Sequence, residues 1–510
     1  MKSLKEVYKD SFLIGNIYTP KVLKNEALQQ MLKEQFNAIT AENIMKPALI
    51  QPKKGQFIFN FADDMMDYAL ENNFKAVGHT LAWHQQTLGW IDESNTSKEE
   101  ALKLLRGHMK EIMTRYKGKI IAWDVLNEAI EDGVQADTKD WRKHLRDTPW
   151  LRMIGADYIS HVFHIAHELD PSAILYYNDY NLNYQQKREA TYYMVKELRE
   201  KAGVPIHGIG MQGHYHTNTP IHTVEESLEL FSQLDGIEIS VTELDVTVTG
   251  SEKANVLSEA HEIEQAQYYA QLFQIYKRYE HIIKRITFWG TDDWTSWRGE
   301  RFPTIFNKDY SPKQSFYAII DPDKFLQEHL LVERDVTQTA VATYGTPVLG
   351  DLETWNKSEP MLVSRQLTAW EGATAEGYAM WDEENLYILA DVTVSTAGKN
   401  DSIDIYMNPS NAKSGDYETD DYQITITFEN EVSFNGKDAM NGFESFATVT
   451  ETGYQVQAKI PLKQVGAIGF DMQVNDANEH GVRQSVATWN DFTGALPHST
   501  VGFGNMKLVK

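Results

Sequence analysis

Cysteine is absent from all 510 residues, which excludes disulfides, thiol nucleophiles and thiolate metal sites together. No apolar run reaches the ~18 residues that a membrane-spanning helix needs. The opening MKSLKEVYKD lacks the apolar stretch of a secretory leader, so the chain is expected to be cytoplasmic, or exported with its leader already removed. The missing cysteines lean toward export. Positive charge is also short. Against 73 Asp and Glu stand 48 Lys and Arg, and the net charge of −25 repels phosphate backbones and anionic lipid, so neither nucleic acid nor membrane is an expected partner. No HExxH and no Cys/His zinc spacing occurs, and no phosphate-binding glycine motif or GxSxG elbow follows a strand where it would have to act.

What is there belongs to a folded protein. With 42% hydrophobic residues, 12 Trp and 25 Tyr, the chain can bury large cores, and its length exceeds what one core usually supports. Up to about residue 325, short apolar runs alternate with helical patterns. The strand candidates are Leu13–Asn16, Ala38–Glu42, Ala76–Ala82, Ile120–Leu126, Ala173–Tyr177, Ile206–Met211, Ile237–Val241 and Ile286–Trp289. Eight βα units in this span predict an α/β fold of the (β/α)8 barrel type over residues 1–325. Ser97 followed by Glu100 reads as a capping box that opens a helix over 101–116. Residues 326–343 read as a linker. Beyond it, runs such as NLYILADVTV, DSIDIYMN and YQVQAKI alternate with period two, which predicts an all-β sandwich over 344–510. That segment is acidic, with 24 Asp and Glu against 10 Lys and Arg.

Two barrel strands end in a glutamate: IIAWDVLNE at Glu128 and IEISVTE at Glu243. Their spacing is about that of three βα units, so both carboxylates can stand at the C-terminal rim of one barrel. Such a pair is what glycosidic-bond hydrolysis requires, one group as acid and the other as nucleophile or base. Other strand ends bring aromatic and polar groups suited to sugar faces and hydroxyls: AENIMKP, GHTLAWH, NDYN, GIGMQGH and FWGTDDWTSWR. The rim histidines His79, His84, His214 and His216 are read as hydrogen-bonding groups rather than a metal set. His161, His164 and His167 are read as one helix face.

In this order, AENIMKP, GHTLAWH, WDVLNE, YYNDYN, GMQGH, TELD and FWG with SW following resemble glycoside hydrolase family 10, the retaining endo-β-1,4-xylanases, over about residues 5–325. The resemblance implies a (β/α)8 barrel acting on xylan and xylo-oligosaccharides as a monomer, with no cofactor for catalysis. It makes Glu128 the acid/base and Glu243 the nucleophile, with Asn127 holding the sugar 2-hydroxyl and His214 and Asp245 orienting Glu243. Glu42, Asn43, Lys46, His79, Trp83, Gln212, Trp289 and Trp297 would line the glycone side, and Asn178 and Tyr180 the first aglycone position. Retention calls for carboxylates about 5–5.5 Å apart, inversion for about 6.5–9.5 Å. One departure stands out: His207 occupies a position where the family commonly has Asp. A β-glucan or short xylo-oligosaccharide substrate is the nearest alternative, and a non-catalytic sugar-binding protein the next.

YGTPVLGDLETW, AMWDEENLYILADV, DSIDIYMN, DYETDDYQ, GFDMQVNDAN and ATWNDF resemble carbohydrate-binding module family 9 over about residues 344–510. That resemblance implies a sandwich gripping chain ends between two tryptophans and carrying structural calcium, for which Asp382, Glu383, Asp420 and Asp421 offer oxygens. The chain departs from the pattern. TAGKN and TGALPHSTVGF stand where the clamping tryptophans belong, and Thr425 stands where a sugar-binding arginine is common, while Asp404 and Gln473 keep polar positions. Trp355, Trp381 and Trp489 read as framework. The module is therefore expected to be a degenerate or re-specialised binder.

Overall fold

The computed structural model describes residues 2–134, 136–248, 254, 257–331, 337–357, 359–367, 372–413, 417–435, 437–462, 466–477, 481, 483–491, 494, 496–497 and 499–510. The chain divides into two compact units. The first takes in Met1–His216, Pro220–Val248 and Ser258–Leu330, and the second takes in Thr217–Thr219 and Leu331–Lys510.

The first unit is a closed barrel. Its strands are β1 (Leu13–Tyr18), β2 (Ala38–Ala41), β3 (Lys75–Ala82), β4 (Ile120–Asn127), β5 (Ile174–Asp179), β6 (Gly208–Met211), β7 (His214–His216), β8 (Glu238–Thr247) and β9 (Ile283–Phe288). Eight of these pair in parallel in the order β6-β5-β4-β3-β2-β1-β9-β8, and β8 returns to β6 to close the ring. Strands enclosed on both faces have no solvent side, which is why β2 and β4 read as near-continuous apolar runs rather than alternating ones. β7 is a short extension that pairs only with β8 and sets His214 opposite Asp245.

Helices between the strands start and stop where local chemistry says they should. Ser97 Oγ accepts the Glu100 N–H and opens Lys98–Arg115. Gly203, with φ of 61°, ends Gln185–Ala202, a left-handed cap that costs glycine little. Their apolar faces pack on the barrel around fully buried Trp123, Phe36 and Phe163.

The register of the parallel ladders shifts near the C-terminal ends of β3 (between His79 and Ala82), β4 (between Asp124 and Leu126) and β8 (between Val241 and Leu244). Such irregularities re-aim side chains. Here they fall beside the residues the sequence singles out.

The second unit is a separate β-rich region built on one curled sheet of 13 strands. Ile403, Ile405 and Met407 point into its apolar core together with Trp381 and Trp489. The stretch read as linker, 326–343, is structured at both ends. Pro322–Glu328 is a helix, and Thr339–Tyr344 is a strand lying parallel to both Gly504–Val509 and Thr374–Trp381. Residues 332–336 lie outside the described residues. Among the described residues no helix is long and apolar enough to cross a membrane.

Candidate active site

The backbone ladder assembles the site before any side chain is considered. Asn127 on β4 sits beside Asn178 on β5, and Asn178 beside Gly210 on β6. The Glu128 N–H donates to Asn178 O at 2.9 Å, and the Glu243 N–H to Gln212 O at 2.8 Å. Three neighbouring strand ends and β8 therefore place both glutamates at one rim.

Both carboxylates are buried, Glu128 with 8% of its surface exposed and Glu243 with 5%. Glu128 receives Trp83 Nε1 at 2.8 Å on Oε2, and Gln212 Nε2 at 2.9 Å and Asn127 Nδ2 at 3.2 Å on Oε1. Glu243 receives Asn178 Nδ2 at 2.9 Å on Oε1, while His214 Nε2 stands 3.2 Å from Oε2. Asn178 Nδ2 also donates to Asn127 Oδ1 at 2.8 Å. A continuous chain of side-chain amides thus runs from one carboxylate to the other.

The electrostatics around Glu243 are one-sided. Burial would raise its carboxyl, but the His214 hydrogen bond, the His79 and His214 charges and the Asn178 amide outweigh that and hold it below the usual carboxylate value. His214 is itself sustained by an anion. Burial opposes its charge, yet Asp245, 3.0 Å from Nδ1, and Glu243 lift it to about 9. Asp245 stays ionised because Arg298 bonds it directly, and Arg298 is fixed in turn by Tyr215 O at 3.1 Å and Thr247 Oγ1 at 3.2 Å.

The remaining sequence-predicted residues surround this pair. His79 Nδ1 bonds Asp124 at 2.9 Å and lies 3.9 Å from Glu243 Oε1, with Trp289 edge-on at 5.3 Å. Lys46 donates to Asn43 at 2.9 Å and sits 5.1 Å from the Trp83 ring centre. Burial lowers Lys46 from the usual ammonium range against the pull of Glu243, Glu42 and Glu128, and burial raises Glu42. Trp297, 62% exposed, meets His214 edge-on at 5.1 Å. Tyr180 accepts from Arg146 at 2.7 Å.

Three residues here carry no sequence signal of their own. Asp124 lies inside a strand and reads as its polar interruption. Arg146 lies in a loop, and Thr242, which donates to Asn178 Oδ1 at 2.5 Å, sits next to Glu243. His207 is accommodated without Asp: its Nδ1 accepts the Leu175 N–H at 3.2 Å, and burial lowers its pKa. Among the described residues no group of three or more His, Asp or Glu comes together as a metal site. His84, 3.9 Å from Glu128, is pushed down to about 4 by burial.

In the second unit Trp355, Trp381 and Trp489 are all buried in core clusters. Asp404 accepts Thr425 Oγ1 at 2.6 Å, Asn475 Nδ2 at 3.0 Å and Gln473 Nε2 at 3.3 Å, so this face of the sheet is a closed polar network. Of the segment 493–503, residues 493, 495 and 498 lie outside the described residues. Three of the four acidic side chains read as calcium oxygens have partners within the unit. Asp382 accepts from Glu384 and Asn385 N–H groups and Tyr387 OH, Glu383 pairs with Tyr344 OH and Lys510, and Asp421 accepts from Asn408 and the Glu418 N–H.

Residues 3–322 match the family described as Glycosyl hydrolase family 10, and residues 350–510 the Carbohydrate family 9 binding domain-like family. The chain belongs to glycosyl hydrolase family 10. It is 36% identical to Endo-1,4-beta-xylanase A of Thermoanaerobacterium saccharolyticum over 99% of this chain and 43% of that one. It is also 36% identical to Exoglucanase XynX of Acetivibrio thermocellus, over 99% of this chain and 46% of that one. It thus spans less than half the length of either relative. Among solved structures it is similar to the intracellular xylanase of Thermoanaerobacterium saccharolyticum, a glutamate-to-alanine variant bound to xylotriose. There the TM-score is 0.57 and the identity 38%, covering 62% of this chain and 98% of that one. In this family 10 chain, the motif-bearing strand ends and the amide-bridged glutamates are one and the same place.

Proposed function

We propose that the chain is a retaining endo-1,4-β-xylanase in which Glu128 is the acid/base and Glu243 the nucleophile. The observation that carries the reading is the amide chain Glu243–Asn178–Asn127–Glu128, which links two buried carboxylates at the ends of β4 and β8. Named relatives acting on xylan, and one neighbour holding xylotriose, favour xylan as the substrate.

In the first step an oxygen of Glu243 attacks C1, the bond from C1 to the glycosidic oxygen breaks, and the proton on Glu128 passes to that departing oxygen. An ester joins sugar to Glu243, whose charge is gone. In the second step ionised Glu128 takes a proton from water, the water oxygen bonds to C1, and Glu243 leaves as carboxylate. Atoms and charge balance over the cycle, and no step calls for a cofactor. Asn127, tied to Asn178 and Glu128, is suited to hold the sugar 2-hydroxyl. Trp83, Trp289 and Trp297 supply flat apolar faces for sugar rings.

Residues 1–325 carry this chemistry, and residues 344–510 form an appended module whose buried tryptophans leave it without an aromatic clamp on the described residues. Structural calcium is left out of this reading: among the described residues no three His, Asp or Glu side chains gather where they could hold an ion. A β-glucan substrate is the second reading, favoured by the relative named exoglucanase. Reducing-sugar release from xylan, cellulose and xylotriose separates the two. The proposal expects xylan cleavage at internal bonds and loss of it in Glu243→Ala, whereas faster release from cellulose would favour the second reading.

A further inference from the structure

We propose that Arg146 is a positioning residue that aims the Glu128 carboxyl through its backbone and ties that aim to the aglycone aromatic Tyr180. The inference rests on the acid/base assignment above.

Glu128 has φ of 59°, a left-handed conformation that a glutamate rarely adopts and that persists only where its surroundings hold it. The restraint on its carbonyl comes from one side chain. Arg146 Nε donates to Glu128 O at 3.1 Å. The same guanidinium reaches Ile130 O at 3.3 Å and Tyr180 OH at 2.7 Å through Nη2, and Glu131 Oε1 at 2.9 Å through Nη1. The Arg146 backbone N–H closes the loop on Ala129 O at 2.8 Å. From below, Tyr177 OH accepts the N–H groups of Ala129 and Ile130 at 3.2 and 3.1 Å. Tyr180 is fixed on its other side by Lys187, whose Nζ is 3.6 Å from the ring centre and pairs with Asp132 and Asp179 at 3.0 Å each.

Arg146 meets Glu128 at its backbone carbonyl, so its influence on proton donation passes through the peptide. A planar guanidinium with five fixed donors can hold two carbonyls, a carboxylate and a phenol at once, and an ammonium cannot. Without that fork, the Glu128 carbonyl loses its tie to Tyr180, and the acid loses its aim. The damage should then fall on the step that needs the proton. A poor leaving group depends on Glu128, whereas a good one departs without it.

The test compares kcat/KM, which reports formation of the glycosyl ester, for phenyl and 2,4-dinitrophenyl β-xylobiosides. Arg146→Lys and Arg146→Met in the full chain are expected to lose on the order of a hundredfold on the phenyl substrate, and at least about tenfold more there than on the dinitrophenyl one. Equal losses on both substrates, or none, would overturn the proposal. Tyr180→Phe removes one hydroxyl and keeps the fold testable if the arginine variants do not fold. It is expected to show the same bias at smaller size, and an unbiased effect counts against the proposal. Glu128→Ala is measured on the same pair. If it too fails to discriminate, the acid assignment has failed; if it discriminates and the arginine variants do not, the positioning role has failed.

Discussion

Asn178 donates its side-chain amide to Oε1 of Glu243 at 2.9 Å, and the same nitrogen reaches Asn127 Oδ1 at 2.8 Å. Its own carbonyl is held by Thr242 Oγ1. One amide therefore orients both Glu243 and Asn127, the neighbour of Glu128. A hydrogen bond to a charged acceptor contributes about 1.5–3 kcal/mol. Asn178→Ala is accordingly expected to lower kcat/KM on xylo-oligosaccharides by roughly tenfold to a hundredfold. Steady-state kinetics at constant folded fraction check this, and an unchanged rate would remove the bridge from the account.

Gly210 lets Asn178 take that position. A Cβ on residue 210 would lie 2.4 Å from Asn178 Oδ1 and 2.9 Å from Thr242 Cγ2. Gly210→Ala must push Asn178 aside, so its activity is expected to fall by as much as that of Asn178→Ala. Overpacking of this kind costs typically about 1–3 kcal/mol of stability. Kinetics paired with urea unfolding separate the two effects. Full activity in a folded Gly210→Ala protein would show that Asn178 need not sit where it does.

The pH profile follows from His214. Burial pushes Glu243 upward, and His214 is the first of the groups that bring it below its usual value. In His214→Ala burial is less opposed, the Glu243 carboxyl rises, and the acidic limb of kcat/KM is expected to move to higher pH. A profile measured from about pH 3 to 8 decides it. An acidic limb that stays in place, or moves down, contradicts the assignment of His214.

Stability carries the same signature with the opposite pH sense. His214 is lifted in the folded state from 6.5 to about 9, so its contribution is fully present below about 6.5 and is lost as pH rises through about 9. Urea unfolding of His214→Asn against the parent is expected to show a larger deficit near pH 6 than near pH 10. An equal deficit at both would mean that the charge on His214 adds nothing to folding.

Much of this was legible in the residues. Strands enclosed on both faces are written as apolar runs, so the barrel could be read by counting. A polar group that ends such a run has few places to go except the rim, which is how Glu128, Asn178 and Glu243 declared themselves. His214 and Asp245 were recognisable through their motifs, and β7 shows why they meet. The strand Thr339–Tyr344 was not legible. It is six residues of Thr, Ala, Val and Tyr that alternate weakly, and its partners, Gly504–Val509 among them, are far away in the chain. Arg146 was hidden for a different reason. It comes from a loop 18 residues beyond Glu128, and no periodicity marks a side chain whose purpose is to hold carbonyls.

The second unit invites one further check. With Trp355, Trp381 and Trp489 buried, none offers a face to a sugar ring. Calorimetric titration of Glu243→Ala, full chain, with xylobiose and cellobiose is expected to reveal no micromolar site beyond the barrel. A second site that survives substitution of Trp83 and Trp297 would show that the module binds by other means.

The most direct test of the central claim is covalent trapping. The protein is incubated with a 2-deoxy-2-fluoro-xylobioside bearing a good leaving group, digested, and its peptides weighed by mass spectrometry. The account predicts a single glycosyl adduct on the peptide containing Glu243, absent from Glu243→Ala. An adduct on another carboxylate, or turnover that releases the inverted anomer with no adduct, would contradict it.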